Sequence, residues 1–374
     1  MPAKGLRRGT PNIGYLNNLG LLLTDAGRLA EAEPYYRQAI NALQEELASD
    51  PLAPDNRWHM ARSEANMGVL LQKTKRVGEA EGYLVRARDR QKRLSGDFPR
   101  IPDYRHELAS ILNNLGLLFG ATGREALAEQ AYRESLSLRE RLASEVAGIP
   151  DYPQKLAVTR LNLALLLESR NPLAAKQIYH QARDAQESVL SLFPDVPEYR
   201  LALGRTLHSL SGLHFKQAEH VDARRLMEQA IPHHRAALEF NRRNQAGRDY
   251  LRDDYGVLTV VLVELREHDA AAKAALELPR LVPDQATEYL RAAAFLARCV
   301  ELATKDERLT VADRERRAEE YGGEAAAVLR QGVQAGHISD PALLDQAGFR
   351  ALIDRPDFQR IRSELQPRAQ GRAG

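Results

Sequence analysis

The sequence has 374 residues, with 53 Lys and Arg against 51 Asp and Glu, and its formal net charge is therefore only +2. This near-neutral balance excludes a protein built mainly to coat nucleic acid or an anionic membrane, and the single cysteine, Cys299, excludes disulfide frameworks and cysteine-rich metal sites. Hydrophobic residues make up 44% of the chain and charged residues 28%, as in a folded soluble protein, and no stretch is apolar enough to span a membrane.

The first predicted segment is a flexible N-terminus at residues 1–12. It is basic, but Thr10, Pro11 and Asn12 stand where a signal peptide would place its apolar stretch. The sequence therefore predicts a cytoplasmic protein.

A repeat of 48 residues follows and covers residues 13–240. Residues 17–20, Asn-Asn-Leu-Gly, recur in related form at 65–68, 113–116 and 161–164, and a fifth copy ends at Gly212. Two series of small residues and one series of bulky residues keep nearly the same spacing: Ala32, Ala80, Ala128, Ala175 and Ala223; Ala39, Ala87, Ser135, Ala182 and Ala230; Tyr36, Leu84, Tyr132, Tyr179 and Met227. One step of 47 residues in these series indicates a shorter turn at Asn171-Pro172. The spacing predicts five successive structural units.

Each unit reads as two helices joined by a turn. Leu16, Leu19, Gly20 and Leu23 fall at i, i+3, i+4 and i+7, which is one helix face, and residues 24–28 break the pattern with turn chemistry. A glycine inside a helix costs about 1 kcal/mol relative to alanine. Its recurrence at 20, 68, 116 and 212 therefore predicts a close approach of the two helices of each unit.

The C-terminal third loses the regular spacing. A degenerate sixth unit is predicted at 241–283, further helices at 284–335, a terminal cap at 336–365 and a disordered tail at 366–374. Asp340-Pro341 is a typical helix start within the cap.

The pattern of small and large residues resembles the tetratricopeptide repeat. The residues that carry the resemblance in the first unit are Leu19, Gly20, Leu23, Ala32, Tyr36 and Ala39. The resemblance implies an all-α fold, a right-handed solenoid of antiparallel helix pairs with a helical C-terminal cap. The usual period is about 34 residues, and the extra residues here extend the second helix and form a proline-containing linker.

The long period and the linkers resemble the repeat arrays at the C-termini of certain bacterial serine/threonine protein kinases. The linkers read Ile-Pro-Asp-Tyr at 101–104 and 149–152, and Val-Pro-Glu-Tyr at 196–199. The chain lacks a glycine-rich loop, a strand lysine and a catalytic loop of the kinase type, so the resemblance concerns architecture alone. No enzyme activity and no cofactor are predicted.

Two functions remain open at this stage. The first is a non-catalytic scaffold or adaptor that binds an extended peptide segment of another protein in a concave groove. The alternative is the regulatory or substrate-docking part of a bacterial serine/threonine kinase system, with the kinase domain absent from this chain. Both predict a protein or peptide partner and no small-molecule substrate, nucleic acid or membrane.

The predicted binding residues form a series of asparagines, which we call the Asn ladder: Asn18, Asn66, Asn114 and Asn162. Each lies two residues before the packing Gly or Ala, about 200° around the helix, so its side chain points away from the partner helix. An amide both donates and accepts hydrogen bonds, so it can pair with a peptide main chain of any sequence. The resemblance suggests this role, and the alternative is that each Asn bridges adjacent repeats or binds water.

Flanking positions complete the predicted groove. The polar candidates are Asn17, Arg62 and Asn113, and the apolar candidates are Leu21, Val69 and Leu117, whose series continues at Leu165 and Leu213. The apolar series either supports the side chains of a ligand or packs between repeats, and the second interpretation is favoured.

The remaining reactive residue types predict no site. His208, His214 and His220 are six residues apart, which scatters them around a helix, and His233-His234 has no ligand partner in a metal spacing. Cys299 lies in an apolar helix and is predicted to be a buried, inert thiol.

Overall fold

The computed structural model describes residues 12–146, 148–241 and 245–370, and the side chains of these residues up to Leu365. The predicted flexible N-terminus therefore lies outside the described residues except for Asn12, whose side chain caps the first helix. The chain divides into two compact units, unit 1 (Met1–Val189) and unit 2 (Leu190–Gly374).

Unit 1 is built from helices that pack in consecutive pairs. Its helices are α1 (Ile13–Asp25), α2 (Leu29–Ser49), α3 (Pro54–Lys73), α4 (Val77–Asp97), α5 (Pro102–Ala121), α6 (Glu125–Glu145), α7 (Asp151–Leu167) and α8 (Pro172–Leu192), whose last residues belong to unit 2. The pairs α1/α2, α3/α4 and α5/α6 have the most extensive contacts, and each pair packs on the next. The odd-numbered helices also contact one another in sequence, and they form a layer that we call the first-helix layer.

Unit 2 continues the same scheme and ends in a cap. Its helices are α9 (Pro197–Lys216), α10 (His220–Phe240), α11 (Gln245–Glu264), α12 (His268–Leu281), α13 (Ala286–Thr304), α14 (Val311–Gln334) and α15 (Pro356–Gln370), with short 3-10 helices at Pro341–Leu344 and Ala347–Leu352 between the last two. The pairs are α9/α10, α11/α12 and α13/α14. The cap packs through Phe349 and Phe358, which are almost fully buried. Helix α15 runs past residue 366, where the tail was predicted to begin, and residues 371–374 lie outside the described part.

The predicted all-α fold of stacked antiparallel helix pairs is confirmed, and no strand occurs among the described residues. Helix starts follow the linker prolines, because Pro54, Pro102 and Pro197 each occupy the first helical position, where the missing N–H costs nothing. The turn inside a pair places one residue in the left-handed region, which glycine tolerates best. Gly27 and Gly123 fill this position with φ of 76° and 73°.

The predicted close approach at the helix glycines is confirmed for three repeats. A Cβ built on Gly20, Gly68 or Gly116 would lie 2.4–2.6 Å from the bulky side chain of the second helix, which is Tyr36, Leu84 or Tyr132. The absence of a side chain at these three positions lets the two helices of each pair approach closely.

The same prediction is wrong for Gly212, where a Cβ would meet no atom within 4 Å. Ser211 is the fully buried residue there, and its hydroxyl donates a 2.7 Å hydrogen bond to the carbonyl of Ala223. The physical reason is the shorter turn at Asn171. Because this turn has one residue fewer, every later packing position has a residue number lower by one, here 211 instead of 212.

Charged side chains join neighbouring repeats at one recurring position. Arg76 and Arg124, each directly before the second helix of its pair, lie 2.8 Å from Glu33 and Glu81 of the preceding repeat. We call this contact the inter-repeat ion pair. The fourth repeat makes the same contact, with its Arg170 lying 2.9 Å from Glu129 of the third repeat.

Unit 2 contains the inter-repeat ion pair with its charges exchanged. Arg224 occupies the helix position that is glutamate in the first three repeats and Lys176 in the fourth, and Glu267 precedes α12 where unit 1 has arginine. Their side chains are 2.7 Å apart.

Candidate functional site

Three asparagines of the Asn ladder stand two residues before the glycines that meet the second helices, so by helix geometry their side chains point about 200° away from that contact. Asn18 of α1 is exposed, and Asn66 of α3 and Asn114 of α5 are half-buried. Within the described part of the chain, no hydrogen bond involves their side-chain amides. Helices α1, α3 and α5 therefore each present one amide that makes no hydrogen bond within the described part of the chain.

The fourth member, Asn162 of α7, has a different environment. It is only 7% exposed, and its Nδ2 donates a 3.0 Å hydrogen bond to Oδ1 of Asn113 in the preceding repeat. Asn17 is 2% exposed and donates a 2.9 Å hydrogen bond to the hydroxyl of Ser63 in α3. Asn17, Asn113 and Asn162 thus make the bridges between repeats that the sequence left open as an alternative.

An apolar series runs beside the open amides. Leu21, Leu117 and Leu165 are 39%, 41% and 45% exposed, and Val69 is half-buried. The favoured interpretation as inter-repeat core is therefore wrong for the three leucines. Leu213 is buried, but after the one-residue shift at Asn171 it holds a different position of the repeat. An apolar side chain, Leu21, Val69 or Leu117, therefore lies one helical turn from each open amide, because its position is three residues later.

Charge is concentrated where α3 meets α5. The guanidinium of Arg62 lies 5.8 Å from the ring of Trp58, a distance at which cation–π attraction acts. Burial raises the pKa of the Glu107 carboxyl, and the positive charges of Arg62 and Arg139 oppose this rise. The middle of the layer therefore combines two arginines with one carboxyl group, that of Glu107, whose pKa is raised.

Arg139 reaches this place from the second helix of its repeat. It is 3% exposed, and burial lowers its pKa to about 10 although Asp151 and Glu107 oppose the change. Its Nη2 donates to the hydroxyl of Ser110 on α5 at 3.3 Å. Sequence reasoning missed Arg139 because the residue belongs to the extension of the second helix, for which the shorter repeat offers no counterpart.

A buried cluster in unit 2 was also missed. Asp254 is fully buried, and its two carboxylate oxygens lie 2.7 and 2.6 Å from Nδ1 of His208 and His234. The three residues come from α11, α9 and α10, so no spacing along the sequence brings them together. The cluster holds adjacent helices through charge-assisted hydrogen bonds.

His214, Glu219 and Asp222 offer three potential ligand atoms within 4.8 Å of one another. Nδ1 of His214 lies 2.6 Å from Glu219, and Arg225 pairs with Asp222 at 2.8 Å. These contacts account for the cluster as an ion-pair network at the turn between α9 and α10.

Comparison with known families identifies two segments. Tetratricopeptide repeat models match residues 13–51 and 59–141, so the chain contains tetratricopeptide repeats in both segments. No match is found among curated proteins. None of the described helices is long and apolar enough to cross a membrane.

Several solved structures share the fold at low sequence identity. BtubC (BKLC) from P. vanneervenii has a TM-score of 0.51 and 17% identity, with 68% of this chain and 90% of that chain covered. A signal transduction ATPase with a tetratricopeptide repeat sensor from Pyrococcus horikoshii has a TM-score of 0.55 and 12% identity, over 87% of this chain and 43% of that chain. The nuclear import adaptor Nro1 from S. pombe has a TM-score of 0.53 and 9% identity, over 78% and 98%. These similarities establish the tetratricopeptide type of fold.

Proposed function

We propose that this protein is a non-catalytic interaction scaffold that binds an extended peptide across the first-helix layer of unit 1. Tetratricopeptide repeat proteins generally mediate protein–protein interaction, and two segments of unit 1 match that repeat. The observation that supports the proposal is the series of three open amides, at Asn18, Asn66 and Asn114, in successive repeats.

The chemistry of these amides suits a peptide main chain. Each offers a donor and an acceptor, so it pairs with a peptide N–H and C=O whatever the peptide sequence. The exposed leucines beside them would contact the peptide's apolar side chains, which provides selectivity. A hydrogen bond contributes about 0.5–1.5 kcal/mol, so three amides together supply about 1.5–4.5 kcal/mol, or roughly ten- to a thousandfold in affinity.

The experiment selects a ligand and then removes the amides. A random peptide library displayed on phage is selected on the intact chain, and the best peptide is synthesised and titrated. Trp58 is the only tryptophan of the sequence and lies beside Arg62 in this layer, so its fluorescence is a natural reporter of binding. The triple variant Asn18→Ala, Asn66→Ala and Asn114→Ala should bind at least about tenfold more weakly.

Two controls separate binding from folding. Asn41→Ala removes an exposed amide from α2, in the other layer, and should leave the affinity unchanged. Circular dichroism of the triple variant should equal that of the wild type. If the folded triple variant binds the selected peptide as tightly as the wild type, the amides are not the binding groups and the proposal fails.

The kinase-associated alternative stays a prediction. The three structures named above include no kinase, and no contact of the described residues favours this role over any other protein partner. The cytoplasmic location and the bacterial origin are likewise still predictions from the sequence.

A further inference from the structure

Unit 2 contains a cavity of about 920 Å³ between α10 and α12, with α11 as its floor. Leu251, Leu258 and Leu262 of α11 form the floor and are almost buried, so the base of the cavity is apolar. Two alanines of α12, Ala270 and Ala274, form part of one wall, and their small side chains leave the space open. The volume falls within the range of small-molecule sites, which is about 300–1,000 Å³.

The rim of the cavity carries an excess of cations. The charged lining residues are Arg235, Arg248, Lys273 and Arg280 against Glu228, Glu239 and Glu277. Glu277 is paired with Arg280 at 2.6 Å, and Glu228 is paired with Arg224 outside the lining at 2.8 Å. Lys273 is exposed and has no ion pair within the described part of the chain. Glu239 also has no ion pair within that part of the chain, but the four lining cations, together with Arg224, outnumber the three glutamates, so the net charge around this rim is positive.

Tyr255 adds a neutral donor above the apolar floor. Arg235 donates a hydrogen bond to the Tyr255 hydroxyl, and since that oxygen then acts as the acceptor, its own proton is available for another partner. Burial raises the pKa of the Tyr255 phenol although Arg235 opposes the rise, so the group keeps its proton at neutral pH. An apolar floor below a group of donors and cations is complementary to a molecule with an apolar body and an anionic end.

We propose that this cavity binds a small amphipathic organic anion, with its apolar body on Leu251, Leu258 and Leu262 and its carboxylate near Lys273 and Tyr255. An acidic amphipathic helix is the competing ligand for such a surface, and the test below includes it. The proposal departs from the sequence-based prediction that the protein has no small-molecule ligand.

The test uses dodecanoate as the probe, below its micellar concentration, in calorimetric titration of the full chain. We expect saturable binding of one molecule per chain. Butyrate, which has the same carboxylate but a short body, and dodecyltrimethylammonium, which has the same body but a cation, should both bind at least about tenfold more weakly. Such a difference would show that both ends of the probe are recognised.

Two variants locate the site. Lys273→Glu replaces the unpaired cation with an anion and should weaken dodecanoate binding at least about tenfold. Ala270→Phe places a ring in the cavity from a half-buried wall position and should abolish binding. Lys305→Glu is the matched control, because Lys305 is also exposed in unit 2 but does not line this cavity, and its affinity should equal that of the wild type.

Three results would overturn the proposal. One is an absence of saturable dodecanoate binding, and another is binding that neither Lys273→Glu nor Ala270→Phe changes. The third is saturable binding of an acidic amphipathic helical peptide that Lys273→Glu weakens while dodecanoate does not bind, which would make the cavity a peptide site. The triple asparagine variant of unit 1 should bind dodecanoate normally, so this test is independent of the proposed peptide site.

Discussion

Replacing Gly116 with alanine should destabilise unit 1, and the structure allows the size of the effect to be estimated. A Cβ at this position would lie 2.4 Å from Cε1 and 2.6 Å from Cδ1 of Tyr132. Carbon atoms pack best at about 3.5–4.0 Å, so the ring would have to retreat by about 1 Å, yet Tyr132 is only 3% exposed. Overpacking of this kind costs about 1–3 kcal/mol, and the higher helix propensity of alanine returns about 1 kcal/mol. The expected net loss is up to about 2 kcal/mol.

A glycine in the same unit provides the matched control. Gly82 lies inside α4, and its Cβ would meet only the flexible end of Arg86 at 3.5 Å. Gly82→Ala should therefore stabilise the unit by about 0.5–1 kcal/mol. Urea unfolding followed by circular dichroism at 222 nm should give a lower midpoint for Gly116→Ala and a higher midpoint for Gly82→Ala. If Gly116→Ala raises the midpoint as much as Gly82→Ala does, close helix approach is not the reason for the glycine.

Three further predictions concern buried groups. Because burial raises the pKa of Glu107, the folded chain should lose stability relative to Glu107→Gln as the pH rises through that raised value. Urea midpoints of both chains between about pH 4 and 8 check this, and a difference in midpoint that does not change with pH would contradict it. Burial raises the pKa of the Cys299 thiol to about 12, so a thiol reagent at about pH 8 should label it only after unfolding, and fast labelling of the folded chain would refute the assignment. Asp254→Ala removes the shared partner of two histidines and should cost about 3 kcal/mol in thermal unfolding. The control Asp253→Ala, at a half-buried residue whose side chain is 47% exposed, should cost less than about 1 kcal/mol, and equal losses would show that the buried cluster contributes no more than a surface ion pair.

The helix pairs were predictable from the sequence because their packing is local. Gly116 and Tyr132 are 16 residues apart in one repeat, so the spacing of small and bulky residues records their contact. The error at Gly212 arose because the shorter turn at Asn171, which the second-helix series reveals, was not applied to the count of 48 residues between the first helices.

The candidate site was harder to predict because its members depend on neighbouring repeats. Asn66 and Asn162 hold the same position in their repeats, and only the second lies against an asparagine that accepts its hydrogen bond. The counterpart of Asn113 in the repeat before Asn66 is Asn17, which bonds to Ser63 instead. In the repeat before Asn114 the counterpart is Ala65, whose side chain has no acceptor. Position within a repeat determines the direction of a side chain, whereas the adjacent repeat determines whether it is free.

The reversal of the inter-repeat ion pair restricts which repeats can be neighbours. A repeat of the unit 1 kind presents glutamate to the repeat that follows and meets it with arginine, as at Glu33 and Arg76, whereas Arg224 presents the opposite sign to Glu267. The fourth repeat carries Lys176 at the first of these positions, but gene duplication of one of the first three repeats would keep every such pair matched. Moving that repeat to the position after α10 would bring two arginines together, which costs free energy at close range. The charges at these positions thus restrict the order of the repeats. Recombination within this gene is tolerated at junctions that keep opposite charges together and penalised at junctions that bring like charges together.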